Sequence, residues 1–263
     1  MTGATQRFRN LHREGCFVMP NPYDVGSTRL LAALGFPALA TTSGGSAASL
    51  GRADMTLDLD TMVSHVRSVV SATPLPVNVD SERCFADSPE GVSETVRLLA
   101  ETGAAGCSIE DWNPSTGQID PLEVSVERVH AAATAASESG IVLTARCEGI
   151  LRNVADLDVT IERLLAFRET GAEVLYAPGL SDLDDISRLV AEVDAPVNVL
   201  LMPGGPRVAQ LAAAGVRRVS TGSRMSSVAY GALVVAAKSL LKSGQIDPDL
   251  PVLDRNLARQ AFI

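Results

Sequence analysis

The segment Val77-Asn78-Val79-Asp80-Ser81-Glu82 decides the fold, because in it an apolar run stops at two carboxylates. Three further runs end in the same way, on charged or small polar residues, at 41–45, 107–111 and 144–148. Such apolar runs are typical of strands that are buried on both faces. Carboxylates at their ends are costly to bury unless they are paired or bind a cation. The pattern therefore indicates a barrel enzyme with its chemistry at successive strand ends, and a metal site is the first hypothesis.

Short apolar runs and longer helical patterns alternate eight times along the chain, which predicts an α/β fold of the (β/α)₈ TIM-barrel type. The expected strands are 16–20, 38–42, 77–80, 106–110, 142–146, 174–177, 197–201 and 218–222. The expected helices between them include 59–72, 89–101, 124–139, 159–169, 183–192 and 206–214. We expect one domain over 1–263, in which 226–263 forms a C-terminal helical extension.

Composition and charge favour a cytoplasmic protein that binds neither nucleic acid nor membranes. The 263 residues are 46% hydrophobic and carry a formal net charge of −9, with no basic patch for phosphates. No run reaches the ~18 apolar residues of a membrane span, and the polar N-terminus lacks the apolar core of a signal peptide. The four cysteines are too few for a disulfide scaffold, so we expect reduced, mostly structural thiols.

Active sites of this fold lie at the carboxyl ends of the strands, so the residues that end each run form the candidate list. These candidates are Ser43, Gly44, Gly45, Asp80, Glu82, Glu110, Asp111, Arg146, Glu148, Tyr176, Asn198, Met202 and Pro203. The acids among them offer hard oxygen ligands with no His or Cys beside them, which suits Mg²⁺ or Mn²⁺ better than zinc. The three histidines all fall in helical stretches, and we assign none of them to catalysis.

Two candidates keep two interpretations each. The consecutive glycines after Ser43 are suited to point backbone N–H groups at an anion, and they are equally typical of an ordinary βα loop. Arg146 ends a buried strand, where an unpaired guanidinium would be costly. It must therefore pair with Glu148 or another acid, or bind an anionic substrate.

Seven motifs spread over almost the whole chain resemble the isocitrate lyase/phosphoenolpyruvate mutase superfamily. They are Asn21-Pro-Tyr-Asp24, Thr42-Ser-Gly-Gly45, Leu50-Gly-Arg-Ala-Asp54, Val79-Asp-Ser-Glu82, Gly106-Cys-Ser-Ile-Glu-Asp111, Thr144-Ala-Arg146 and Arg218-Val-Ser-Thr-Gly222. The resemblance, in particular to the carboxyphosphonoenolpyruvate phosphonomutase and oxaloacetate decarboxylase branch, implies a homotetrameric barrel whose last helix is exchanged between subunits. It also implies a magnesium ion that stabilises a pyruvate enolate.

The same resemblance assigns roles to individual residues. Asp80 is implied as the direct metal ligand, with Asp54, Glu82 and Glu110 holding the metal or its waters. The implied substrate-binding residues are Ser43, Gly44, Gly45, Arg146, Tyr176 and Asn198. The expected catalytic residues are Arg146, which anchors the leaving or migrating group, Asp54, and the neutral donor Asn113.

The loop after the fourth strand decides which bond is cleaved in this superfamily. Lyases of isocitrate and methylisocitrate carry a Lys-Lys/Arg-Cys-Gly-His segment there, whereas this chain reads Trp112-Asn-Pro-Ser-Thr-Gly-Gln-Ile-Asp-Pro121. Without that thiol, we expect a lyase acting on a C–C bond of a small 2-oxo acid through enolpyruvate, by oxaloacetate-like decarboxylation or retro-aldol cleavage.

Three other functions remain open. The first is C–P chemistry, as in a phosphonopyruvate hydrolase or a carboxyphosphonoenolpyruvate phosphonomutase. The second is a non-catalytic barrel that binds a 2-oxo acid. A glycosidase ranks last, because 4% aromatic residues leave few platforms for stacking sugars.

Overall fold

A computed structural model describes residues 3–262 and confirms the barrel. Eight parallel strands form one nearly closed sheet surrounded by helices. The strands, in chain order, are β1 (Phe17–Met19), β2 (Leu39–Ala40), β3 (Val77–Asp80), β4 (Gly106–Glu110), β7 (Val142–Arg146), β8 (Val174–Tyr176), β9 (Val197–Leu200) and β10 (Arg218–Ser220). Two short antiparallel strands, β5 (Trp112–Asn113) and β6 (Gln118–Ile119), form a hairpin in the connection after β4.

The sheet runs in the order β1-β10-β9-β8-β7-β4-β3-β2, and β1 and β2 meet where the barrel closes. There the Ala40 N–H donates to the Pro20 carbonyl at 3.1 Å. Asn21 strengthens this junction: its amide nitrogen donates to the Thr41 carbonyl at 2.8 Å, while its amide oxygen accepts from the backbone N–H groups of Thr221 and Gly222 at 2.9 and 3.0 Å. One buried side chain therefore joins the ends of β1, β2 and β10.

The helices are α1 (Gly3–Leu11), α2 (Val25–Ala33), α3 (Ser43–Ser49), α4 (Leu59–Ser71), α5 (Pro89–Glu101), α6 (Leu122–Ser139), α7 (Leu157–Glu169), α8 (Leu183–Val193), α9 (Val208–Ala213), α10 (Arg224–Ser243) and α11 (Arg255–Ala261). The outer helices begin at side-chain caps, for example Asp58, Ser88 and Asp156. α1, α2, α3 and the β5–β6 hairpin are not among the expected elements, because each is short.

The floor of the barrel is a small cluster separate from the main core, and α1 supplies part of it. Phe8 packs edge-on to His12 and Phe17, with ring centroids 4.7 and 6.3 Å apart. The Nδ1 of His12 donates to the Phe8 carbonyl at 2.8 Å, and its Nε2 faces the guanidinium of Arg218 at 3.4 Å. Burial, together with that guanidinium, lowers the pKa of His12 to about 3, so His12 is a neutral floor residue.

The C-terminal helices differ in how they pack on their own chain. α11 lies against α2 and buries Ala261. α10 buries only Ser226 and leaves apolar side chains exposed on several of its faces: Val228, Leu233, Val234, Val235, Leu240 and Leu241. Among the described residues, no helix is both long and apolar enough to cross a membrane.

The buried neutral His12 predicts an acid-sensitive floor. Its folded-state pKa of about 3 lies below the ordinary value of 6.5, so the stability it contributes is complete above pH 6.5 and is lost as the pH falls toward 3. We expect His12→Gln to reduce the pH dependence of the free energy of unfolding by about 1.4 kcal/mol per pH unit in this window. Urea unfolding of wild type, His12→Gln and the exposed control His130→Gln measures this; equal slopes for all three would contradict it.

Candidate active site

A cavity of about 190 Å³ opens at the carboxyl ends of the barrel strands. Most of the predicted site residues line it: Ser43, Asp54, Asp80, Glu110, Arg146, Glu148, Tyr176 and Asn198. Gly44, Gly45, Glu82 and Asn113 lie outside this lining. The polar strand ends thus converge on one cavity, as the sequence analysis expects.

Arg146, at the end of β7, is the centre of the charged wall. Its guanidinium lies 2.7 Å from Asp80, 3.2 Å from Glu110 and 2.8 Å from Glu148. Burial opposes its charge, but the three carboxylates outweigh burial and raise the pKa of Arg146 well above the ordinary arginine value. The Tyr176 ring lies 5.2 Å from the guanidinium carbon. In this geometry Arg146 pairs with acids of its own chain, which is the first of the two interpretations left open for it.

Asp80 is fixed from two sides at the end of β3. One carboxylate oxygen accepts from Arg146, and the other accepts from the backbone N–H and the hydroxyl of Ser43 at 2.9 and 3.0 Å. The Asp80 N–H donates to the Thr41 hydroxyl at 2.9 Å. Asp80 is therefore pre-positioned with its carboxylate facing the cavity.

Glu110 and Glu148 give the wall more carboxylates than guanidinium groups. Both side chains are almost fully buried, with 4% and 1% exposed. Burial raises the pKa of Glu110 well above its usual value, and the charges of Glu148 and Asp80 add to this against the opposing effect of Arg146. The backbone N–H of Glu148 donates to Asp111 at 2.8 Å, so Asp111 positions this wall from behind. A further positive charge in the cavity would relieve the excess of acid.

Glu82 lies behind Asp80 on a strained backbone. Its φ is 48°, and Cys84 and Phe85 have φ values of 60° and 53°. Such conformations cost roughly 1–3 kcal/mol each and cluster at functional sites. The segment is clamped by the Glu110 N–H, which donates to the Glu82 carbonyl at 3.0 Å, and by the Thr95 hydroxyl, which donates to the Cys84 carbonyl at 2.8 Å.

The Glu82 carboxyl is buried and incompletely bonded. Its Oε1 has no hydrogen-bond partner among the described residues. Burial, together with the nearby charges of Asp80 and Asp54, raises the pKa of Glu82 to about 8 against the opposing effects of Arg146 and Ser43. A buried carboxyl with an unfilled oxygen is suited to receive a bound water or ion.

The segment Ser43–Gly45 corrects one expectation, because it is the first turn of α3 and not a loop. The Gly45 N–H caps the helix by donating to the Thr42 hydroxyl at 3.3 Å, and the Ser43 N–H is taken by Asp80. Two of these three N–H groups therefore have partners within the chain, and the assignment of Ser43, Gly44 and Gly45 to substrate binding stays a prediction. Gly44 leaves room for the side chain of Asp54, because a Cβ at position 44 would lie 2.9 Å from the Asp54 Cγ. The Asp54 side chain is exposed and borders the cavity.

Tyr176 and Asn198 line the cavity together with Arg218, to which the sequence assigns no role. Burial raises the pKa of Tyr176 to about 12. The Asn198 amide donates to the Ser220 hydroxyl at 3.0 Å and accepts from Arg218 at 2.9 Å. Arg218 also donates to Thr144 at 3.0 Å, and burial lowers its pKa to about 9. Arg218 begins the motif Arg218-Val-Ser-Thr-Gly222, but it starts a strand, so a search of the strand ends does not select it.

Asn113 lies in the β5–β6 hairpin, where its side chain donates to Asp120 at 3.1 Å. Asp120 in turn binds the buried Arg83 at 2.8 Å. The base of the hairpin is therefore anchored beside the cavity. The catalytic assignment of Asn113 stays a prediction.

The cysteines behave as the sequence analysis expects of structural thiols. None of the four forms a disulfide, and Cys84, Cys107 and Cys147 are buried. Burial raises the pKa of both Cys84 and Cys147 to about 12, which removes them as nucleophiles near neutral pH.

The donor set fits a hydrated Mg²⁺ or Mn²⁺ ion. Within 3–262, no three Asp, Glu, His or Cys side chains converge as direct ligands. Magnesium does not require such a cage, because it keeps several waters and is commonly held through one or two carboxylates. Asp80 and Asp54 line the cavity, and Glu82 lies outside this lining but near enough for the charges of both to raise its pKa. These acids would hold such an ion partly through its waters.

Comparison with known proteins identifies relatives of the whole barrel. The family model described as phosphoenolpyruvate phosphomutase matches residues 8–241. A crystal structure of a Burkholderia cenocepacia protein, provisionally assigned as a lyase/mutase, superposes with a TM-score of 0.93 at 45% identity, covering 97% of this chain and 94% of the other.

Two curated relatives extend this comparison. An uncharacterized protein of Mycobacterium tuberculosis, Rv1998c, is 33% identical over 93% of this chain and 92% of its own. The oxaloacetate decarboxylase of Chromohalobacter salexigens is 29% identical over 86% of this chain and 80% of its own.

Gly44 provides a test of the Asp54 position. We expect Gly44→Ala to push Asp54 away, because the added methyl would meet its carboxylate oxygens at 3.0 Å. Affinity for Mn²⁺, measured by electron paramagnetic resonance, should fall about tenfold while the fold is retained. Gly231→Ala is the matched control, because its Cβ would meet no atom within 4 Å. An affinity of Gly44→Ala for Mn²⁺ equal to that of wild type would show that Asp54 does not help to hold the ion.

Proposed function

Because the chain belongs to the phosphoenolpyruvate phosphomutase family, we propose that it is a magnesium-dependent lyase that cleaves a C–C bond of a small 2-oxo acid. The reaction passes through enolpyruvate, and oxaloacetate decarboxylation or a related retro-aldol cleavage is the specific assignment. Mn²⁺ is the alternative metal.

One observation supports decarboxylation over lyase reactions that use a thiol, imidazole or ammonium group as the acid. No Lys, His or Cys is among the described residues that line the cavity. Only carboxyl groups and the Tyr176 phenol remain there as proton donors among these residues. Loss of CO₂ needs no acid before the bond breaks, because the electron pair passes to the enolate and not to a leaving group that must be protonated. The likeness to an oxaloacetate decarboxylase over most of both chains agrees with this assignment.

The proposed roles follow from the contacts. A bound divalent ion supplies Lewis-acid stabilisation of the negative charge that develops on the substrate oxygens. Asp80 would hold it directly, and Asp54, Glu82 and Glu110 would hold its waters. Arg146 fixes Asp80 and Glu110 in place.

The remaining wall positions the substrate. Ser43 presents a hydroxyl beside Asp80, while Tyr176 and Asn198 present a phenol and an amide from the opposite side. A cavity of about 190 Å³ suits a small dicarboxylate. Together with membership of the family, this supports a small 2-oxo acid as the substrate.

Turnover of oxaloacetate tests this assignment. We expect wild type with Mg²⁺ to exceed the metal-only rate, and Asp80→Asn to reduce kcat/KM at least about 100-fold, because the position of the ion is lost. NMR of substrate and pyruvate measures both. Asp60→Asn, an exposed carboxylate in the first turn of α4, is the control and should keep full activity. Phosphate release from phosphonopyruvate with oxaloacetate untouched would overturn the assignment in favour of C–P chemistry.

We also propose that the exposed apolar side chains of α10 are covered by other copies of this chain in a homotetramer. Leu233 and Leu241 are 63% and 88% exposed, and so many exposed apolar side chains on one 20-residue helix are typical of an interface. The family resemblance implies that the last helix is exchanged, although α11 contacts its own α2 in the single chain.

Light scattering after size exclusion tests the α10 interface. We expect wild type to be tetrameric and the double variant Leu233→Glu/Leu241→Glu to be smaller, because buried unpaired carboxylates oppose association. Val159→Glu, an exposed position on α7, should leave the mass unchanged. A monomeric wild type would contradict the proposal.

A further inference from the structure

Three guanidinium groups line the cavity, and two of them are fully engaged. Arg146 binds carboxylates from three directions. Arg218 lies on the floor and donates to Asn198 and Thr144. Neither can turn toward a ligand without giving up these bonds. The third is Arg152, in the segment that follows β7.

Arg152 is stacked on Trp112, and its ion pair with Glu148 is long and leaves the guanidinium incompletely bonded. Its guanidinium carbon lies 4.1 Å from the centre of the Trp112 ring, at the start of the hairpin. Its Nε is buried and has no hydrogen-bond partner among residues 3–262. The nearest oxygen of Glu148 is 3.9 Å away, which is too long for a hydrogen bond. The other oxygen of Glu148 is already bound by Arg146 at 2.8 Å.

This arrangement is suited to capturing an anion. Stacking on an indole fixes the plane of a guanidinium and leaves its edge free. A buried donor without a partner is unfavourable, and a carboxylate or phosphonate that binds the edge of the guanidinium relieves that cost. Arg152 lies on the same cavity as Asp80, so one small molecule can reach both.

We propose that Arg152 binds the second anionic group of the substrate, beyond the 2-oxo acid end that faces Asp80. This inference rests on the proposed function, and it moves to Arg152 the anchoring role that the resemblance assigns to Arg146. Trp112 positions Arg152, so the hairpin and the recognition of the distal anion are linked. The site therefore selects 2-oxo acids with a second negative charge over monoanionic ones such as pyruvate.

A distal clamp has a kinetic signature. A guanidinium that holds the distal anion equally before and during bond cleavage lowers KM without raising kcat. We expect Arg152→Met, which keeps the stem over Trp112 and removes the charge, to raise KM for oxaloacetate about 30-fold with kcat within about threefold. Arg152→Lys should recover part of this loss. Arg67→Met, at an exposed arginine of α4, is the control and should match wild type.

Oxalate separates the clamp from the metal end, because it offers two chelating oxygens and no distal group. Its inhibition constant should be the same in Arg152→Met and wild type. An unchanged KM for oxaloacetate, or an equal weakening of oxalate and oxaloacetate, would overturn the role of Arg152. If wild type turns over no oxaloacetate, the proposed function fails. In that case calorimetry with phosphonopyruvate tests whether Arg152 binds the distal anion. The dissociation constant must rise at least about tenfold in Arg152→Met. An unchanged dissociation constant would overturn the role of Arg152.

Discussion

The guanidinium of Arg146 binds Asp80, Glu110 and Glu148, and the geometry of the cavity wall depends on this interaction. The three acids come from neighbouring parts of the sheet and would repel one another without it. Burial makes the requirement stricter, because isolated carboxylates are costly away from water. One guanidinium carries less charge than the three carboxylates that it binds. The wall is therefore still suited to bind a divalent cation.

The barrel and the charged wall could be predicted from the sequence because both depend on local patterns. The strands Val77–Asp80, Gly106–Glu110 and Val142–Arg146 occupy the predicted residues, since each apolar run is interrupted at once by charge. Parallel strands bring their carboxyl ends to one edge, so Asp80 and Arg146 had to lie close together. The parallel topology of the barrel therefore brings charged residues that are distant in the sequence together in one site.

Other parts of the site depend on contacts between distant residues, which a single sequence does not show. The stacking of Arg152 on Trp112 joins segments 40 residues apart, and Arg218 meets Asn198 inside the barrel. Ser43–Gly45 looked like a loop because two glycines disfavour a helix, yet Thr42 caps them into α3. The neutral His12 likewise depends on burial beneath Arg218, which no local pattern encodes.

We expect the acids around Arg146 to form one site for a divalent ion, with Asp80 as its direct ligand. The decisive measurement is a titration of Mn²⁺ into the metal-free protein with saturating oxalate, followed by electron paramagnetic resonance. Wild type should bind one ion per chain, and Asp80→Asn should bind none under the same conditions. Equal stoichiometry in the two proteins, or no binding in wild type, would rule this site out.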